Sequence, residues 1–140
     1  MTIINTNTRS ISPKINSVVE AFNELDASFG IFTETWLSDG PDLVSKMDDL
    51  IHGSGIRMLT CNREKNSTGF SHGGVAILFK ESVCTFKIMN IPNPDSFEVL
   101  VGSARFAVYL SQLFVVACYL PPTYTQARGK AILNLSLIHI

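Results

Sequence analysis

Apolar and polar residues change rhythm several times along this chain, and each change marks an element. Ile3-Ile4 is a short β-branched run followed by the polar stretch Asn5-Thr6-Asn7-Thr8-Arg9. Ser12 and Pro13 then make a helix start, since a Ser side chain accepts free backbone N–H groups and Pro at the first helical position loses nothing by its missing N–H. Ile15, Val18, Val19, Phe22 and Leu25 follow at the spacing of one helical face. They predict a helix from about Pro13 to Ser28, ending near Gly30. Ile31-Phe32-Thr33-Glu34-Thr35-Trp36 reads as a buried strand with polar groups at its end. Strand, helix and strand in that order predict a parallel pair with the helix packed on the sheet.

Ser38-Asp39-Gly40-Pro41-Asp42 is a turn cluster, and Leu43, Val44, Met47, Leu50 and Ile51 predict a short second helix. The rhythm then becomes strand-like. Ile56 to Thr60 reads as a strand and Arg63 to Gly69 as a polar loop. Val75-Ala76-Ile77-Leu78-Phe79 is a continuous apolar run, the pattern of a strand buried on both faces. Cys84, Phe86 and Ile88 alternate with Thr85 and Lys87; Phe97, Val99 and Val101 alternate likewise, with Glu98 read as an outward position. Gly102-Ser103 reads as a turn leading back into Phe106 to Leu110. Leu113 to Tyr119 reads as a core strand stopped by Pro121-Pro122, which cannot extend a ladder. The predicted class is α/β, opening parallel and continuing with antiparallel hairpins.

With 140 residues the chain can hold one domain with a core and not two. Its 46% hydrophobic and 16% charged residues exclude a disordered chain. Eleven basic residues are offset by twelve acidic ones, for a net charge of −1. That balance argues against gripping DNA by phosphate neutralisation alone, so any nucleic-acid role must rest on a local site. Cys61, Cys84 and Cys118 are far apart and form no CxxC pair, and His52, His72 and His139 lack ligand-like spacing to them. The pattern points away from zinc and toward free thiols in a reducing compartment. The N-terminus lacks the basic and apolar regions of a signal peptide, and the longest apolar run, Leu113 to Leu120, is too short to span a bilayer. The expectation is an intracellular protein, nuclear or cytoplasmic, with no membrane partner.

Three polar residues stand at comparable places, at or just beyond the end of an apolar strand: Asn7, Glu34 and Tyr119. In α/β sheets ligands collect beyond the carboxyl ends of strands, where the loops leave a crevice. An amide, a carboxylate and a phenol there suit a hard cation and a phosphate, since Mg²⁺ takes one or two carboxylates plus waters and substrate oxygens. By residue type alone the plainer roles are commoner. A strand-end Asn is more often a turn residue, a Glu between two Thr a solvated strand position, and a strand-end Tyr a core ring with its hydroxyl at the surface. Trp36 reads as a core or lid side chain.

Longer patterns add to this. Asn7-Thr8-Arg9-Ser10-Ile11 with Lys14 resembles "N-x-R-S-I/L-x-x-K", and Thr33-Glu34-Thr35-Trp36-Leu37 is similar to "TETWL". Gly73-Gly74-Val75-Ala76-Ile77 is similar to "GGVAI", and Tyr119-Leu120-Pro121-Pro122 to "Y-x-P-P". In this order, from about Ile3 to Thr125, the chain resembles the N-terminal half of an endonuclease domain of LINE-type (non-LTR, jockey-like) retrotransposons, within the endonuclease/exonuclease/phosphatase superfamily. The resemblance implies a four-layer α/β sandwich of two packed sheets with the site at one end. Residues 1–125 would be its N-terminal part and 126–140 a tail matching no motif. It implies Mg²⁺ as cofactor, with Glu34 as metal ligand, Asn7 orienting metal-bound water or the phosphate, and Tyr119 contacting the phosphate. The implied reaction is hydrolysis of DNA phosphodiesters, with a reverse transcriptase downstream in the parent protein. The family pattern continues with "GDFN" and closes on an Asp-His pair; residues 123–140 contain no Asp, and His139 follows Ile138. The expectation is therefore a fragment truncated at its C-terminus and inactive by itself. The alternatives are a non-enzymatic remnant, or another phosphodiesterase or phosphatase of the same superfamily.

Overall fold

The computed structural model describes residues 1–37, 41–62, 73–91, 97–108 and 112–120. Strand β1 (Thr2–Asn7) leads through a 3-10 turn (Ser12–Lys14) into helix α1 (Ile15–Glu24), and β2 (Ala27–Thr33) returns parallel to β1. The expected strand, helix and strand are present, with different limits. Ser12 caps nothing: Ile11 is the capping position of the 3-10 turn and makes no side-chain bond, and the start rests on Pro13 in the first turn. The helix ends at Glu24 rather than near Ser28. Asp26 adopts a left-handed φ of 45°, and Ala27 is already buried in the sheet. Leu25 is 56% exposed, so counting it on the core face lengthens the expected helix.

Helix α2 (Pro41–His52) and strands β3 (Ile56–Cys61), β4 (Val75–Lys80), β5 (Cys84–Ile88), β6 (Glu98–Phe106) and β7 (Gln112–Tyr119) follow. They form a four-stranded mixed sheet in the order β1-β2-β4-β3 and a three-stranded antiparallel sheet in the order β5-β6-β7. Gly102-Ser103 is not a turn; both residues lie inside the continuous strand β6. The reason is packing: a Cβ on Gly102 would meet the Phe86 ring at 2.4 Å, so the glycine is there to let an aromatic from the neighbouring strand lie across the backbone. The loop expected over Arg63 to Gly69, the Pro121-Pro122 stop and the tail 126–140 lie outside the described residues.

Two cores hold the layers. Ile11, Ile15 and Phe22, with Met47 and Ile51 of α2, cover one face of the first sheet against Phe32, Ile56, Ala76 and Leu78. The Phe22 and Phe32 rings stack at 6.2 Å. The opposite face of that sheet (Phe29, Val75, Ile77 and Phe79) packs on Leu100, Ala104, Phe106, Val115 and Ala117 of the second sheet. Strand β4 is thus buried on both faces, as its uninterrupted apolar run predicts. Strand β7 is not the core strand expected: Val115 and Ala117 face inward, while Phe114 and Val116 are exposed. Among the described residues the layers run helices, sheet, sheet, and no helix is long and apolar enough to cross a membrane.

Candidate active site

The registers gather several strand ends at one pole. Asn7 lies beside Thr33, Thr33 opposite Val75, and Val75 opposite Cys61 in the first sheet; Glu98 lies opposite Tyr119 in the second. The C-terminal ends of β1, β2 and β3 therefore meet the N-terminal end of β4. The sheets join here through Gly73, whose carbonyl accepts the Trp36 N–H at 2.9 Å and where an added Cβ would meet Glu98 and Tyr119.

Beyond the sheet, the chains leaving β1 and β2 continue side by side. Thr8 N–H donates to the Thr33 carbonyl at 2.9 Å, Ser10 N–H to Glu34 at 2.8 Å and Ile11 N–H to Thr35 at 3.0 Å. The Thr8 hydroxyl adds a bond to the Thr33 carbonyl at 3.1 Å. Lys14 sends its ammonium to the carbonyls of Thr8 and Arg9, a charge-assisted clamp that gives the lysine of the first motif a structural use. Asn7 Oδ1 accepts the Arg9 N–H at 3.2 Å, as a turn residue does, while its side chain stays exposed.

These two loops hold unfavourable backbone. Arg9 and Ser10 have φ of 43° and 76°, and Glu34 and Trp36 have 53° and 52°. Non-glycine residues in this region cost about 1–3 kcal/mol each and collect at functional sites, where surrounding structure enforces them. The enforcing contacts come from the next segment. Thr35 N–H donates to the Gly74 carbonyl at 3.4 Å, and a Cβ at Gly74 would stand 2.5 Å from Thr35 Oγ1. Gly73 and Gly74 have φ of 114° and 88°, so the paired glycines supply both the close approach and the backbone shape.

The three residues singled out from the sequence lie at this pole. Asn7 is exposed at the end of β1, Glu34 is half-buried one residue past β2, and Tyr119 is the half-buried last residue of β7. Trp36 is 36% exposed, closer to a rim than to a core residue. Glu98 does not face outward as the alternation predicts; it is only 5% exposed. Alternation fails because β6 is buried on both faces at its start, with Val99 and Leu100 each 7% exposed. A lone acid within an apolar strand is the signal available in the sequence. Its charge is felt nearby: the Cys118 thiol pKa is raised by burial and further by the Glu98 carboxylate. Thr35 Oγ1 and Asn62 Oδ1 are buried without a hydrogen bond, an arrangement costing about 1–3 kcal/mol per group. Thr35 stands just past β2 and Asn62 directly past β3, so polarity concentrates at the pole. A groove of about 380 Å³, lined by Ile4, Asn7, Lys14, Val18 and Phe32 among others, opens beside Asn7 between β1 and α1.

No family model matches the sequence, and no curated protein sequence matches it. Solved structures do. TDP2 of D. rerio, humanised by 14 mutations, superposes with a TM-score of 0.65 at 16% identity, covering 99% of this chain and 58% of that one. An AP endonuclease from Archaeoglobus fulgidus gives 0.56 at 18% identity, covering 96% and 47%. An endonuclease/exonuclease/phosphatase family protein from Leptotrichia buccalis C-1013-b gives 0.62 at 9% identity, covering 94% and 61%. At such identities the likeness is one of fold: the chain has the α/β fold of endonuclease/exonuclease/phosphatase proteins. It spans 47–61% of the length of these three structures.

Proposed function

We propose that this chain is the N-terminal part of a DNA phosphodiesterase domain, and more narrowly of the magnesium-dependent nicking endonuclease of a LINE-type retrotransposon. The observation that carries the reading is the gathering of Asn7, Glu34 and Tyr119 at one pole of both sheets, with Glu34 in a left-handed backbone conformation. The fold supports it, as does the likeness to D. rerio TDP2 complexed with single strand DNA product, at a TM-score of 0.61. The narrower identity draws on the motifs around Asn7, Glu34, Gly73 and Tyr119, and it brings with it the expectation of a reverse transcriptase downstream.

The donor set fits Mg²⁺. That ion uses one or two carboxylates with waters rather than an all-protein cage. Glu34 would hold the ion, with the Asn7 amide beside it; bound there, it supplies Lewis-acid stabilisation of charge on phosphoryl and leaving oxygens. The Asn7 amide orients a water or phosphate oxygen, and the Tyr119 phenol donates to the phosphate. The resemblance assigns no described residue to activating the attacking water, and residues 123–140 offer neither Asp nor an Asp-His pair. The chain alone is therefore expected to hydrolyse DNA negligibly, since residues that act as a unit fail together.

A supercoiled-plasmid nicking assay tests this reading. In the full-length parent, Glu34→Gln should lower Mg²⁺-dependent nicking about a hundredfold or more with little change in thermal stability. The 140-residue chain and its Glu34→Gln variant should both stay at background. Full nicking by the parent variant would remove Glu34 from the mechanism. Robust, Glu34-dependent nicking by the short chain would show that it already holds all that the reaction needs.

A further inference from the structure

We propose that Glu98 is a positioning residue of this site: its buried carboxylate sets the Tyr119 ring and the Gly73-Gly74 backbone so that the phenol meets a phosphate oxygen. The inference rests on the reading of Tyr119 as a phosphate contact and adds the group that holds it. Glu98 lies directly opposite Tyr119 across the β6–β7 ladder, so the two side chains share one face of the sheet. Both converge on a single glycine. A Cβ on Gly73 would stand 3.1 Å from Glu98 Oε2 and 3.2 and 3.3 Å from Cε1 and Cδ1 of the Tyr119 ring. The Gly73 carbonyl in turn receives the N–H of Trp36, two residues past Glu34. Carboxylate, phenol ring and the loop carrying Glu34 are therefore linked through one backbone unit.

A carboxylate is a costly occupant of a position 5% exposed. Elsewhere on the inner face of the same strand stand Leu100, Ala104 and Phe106, and an apolar side chain would fill the space with less desolvation. What the carboxylate adds is a set of fixed acceptor directions beside a ring that has to be held. A phenol already seated against fixed backbone loses less freedom when a phosphate arrives, and pre-organisation of this kind enters as ligand affinity. Glu98 acts through Tyr119, so its removal should touch phosphate binding and spare metal binding.

The test uses the full 140-residue chain and its Glu34→Gln, Tyr119→Phe, Glu98→Gln and Glu98→Asp variants. Mn²⁺ affinity is read by electron paramagnetic resonance. Dimethyl phosphate affinity is read in saturating Mg²⁺ from the NMR signal of ring-labelled tyrosine and by calorimetry. Glu34→Gln should weaken Mn²⁺ binding about tenfold or more, because it removes a charged ligand. Glu98→Gln should keep Mn²⁺ affinity and melting temperature close to the parent chain, yet weaken dimethyl phosphate about tenfold, the weight of one hydrogen bond. Tyr119→Phe should weaken it similarly. Parent-like phosphate affinity in Glu98→Gln, with Glu34→Gln and Tyr119→Phe both impaired, overturns the role of Glu98 and leaves the site intact. Mn²⁺ binding indifferent to Glu34→Gln and phosphate binding indifferent to Tyr119→Phe would defeat the site itself, and the proposal with it. If Glu98→Gln does not fold, Glu98→Asp decides. It keeps the charge but draws the carboxylate back from Gly73, so weakened phosphate binding supports the assignment and parent-like binding rejects it.

Discussion

Strand β4 of the first sheet and strand β7 of the second carry similar residues and meet different surroundings. Ile77 and Leu78 of β4 are 0% exposed, whereas Phe114 and Val116 of β7 are 56% and 46% exposed. The first sheet has helices on one side and a sheet on the other; among the described residues the second packs on a sheet by its inner side, and its outer face is buried at the start of β6 but open along β7. An apolar run therefore reports burial only when both layers are present to bury it. The candidate site sits where the unequal layers meet. The doubly covered sheet supplies Asn7 and Glu34, and the singly covered one supplies Tyr119 and Glu98.

The largest effect expected from this contrast is on stability. Leu78→Ala removes a side chain packed between sheet and helices and should cost about 2–5 kcal/mol in urea unfolding, including the cavity left behind. Val116→Ala on the outer face of β7 should cost about 0.5 kcal/mol or less. Equal losses at the two positions would mean that the outer face is as well covered as the first sheet.

Next in size is the seam within the second sheet. Gly102→Ala places a methyl 2.4 Å from the Phe86 ring and 2.6 Å from the Lys87 carbonyl. Overpacking of that kind costs about 1–3 kcal/mol. Phe86→Leu in the same chain should recover part of the loss, because the two positions share one space and their effects do not add. Strict additivity would show that the Lys87 backbone, and not the ring, is the obstacle.

Outer-face polarity should change association more than stability. Phe114 and Val116 lie on one face of β7, and contiguous exposed apolar surface drives self-association. Phe114→Lys with Val116→Thr should shift sedimentation toward monomer while moving the unfolding free energy by less than about 1 kcal/mol. An unchanged association state would place the sticky surface elsewhere, with the edge strand β1 as the next candidate.

The same contrast explains what can be read from the sequence. Elements buried on one regular face, or on both, are legible: α1 from Ile15, Val18 and Phe22, and β4 from its unbroken apolar run. The strand-end rule puts Asn7 and Glu34 at one pole because parallel β1 and β2 end together once a helix joins them, and Tyr119 ends β7 opposite Glu98. Failures come where packing between distant segments decides the local role. Gly102 looks like a turn until Phe86 lies on it, and Glu98 looks outward until the Gly73 segment closes over it. The left-handed backbone at Glu34 and Trp36 has no sequence signature, since neither residue favours it and the enforcing bonds come from Gly73 and Gly74.

The smallest effect expected is in the thiols, which sample the two sides of the second sheet. Cys84 belongs to the core between the sheets, and its pKa is raised from the ordinary 9.0 by burial. Cys118 follows inward-facing Ala117 and so points to the outer side; its pKa is raised by burial and then by the Glu98 charge. A folded-state pKa above the unfolded one favours the neutral thiol in the fold. The stability this contributes is complete below about pH 9 and is lost as pH rises through the folded value. Urea midpoints should therefore fall slightly more between about pH 8.5 and 10.5 for the parent chain than for a Cys84→Ala, Cys118→Ala double variant. Site-resolved reaction with a disulfide reagent at neutral pH sharpens the point. Both thiols should react slowly, because little thiolate is present, with Cys118 ahead of Cys84 because it is half-buried where Cys84 is buried. Glu98→Gln should quicken Cys118 only modestly, since the carboxylate is the lesser of the two causes, and should leave Cys84 unchanged. Equal rates for Cys84 and Cys118 would mean that the two sides of the second sheet open to solvent together, which would erase the difference in cover between its faces.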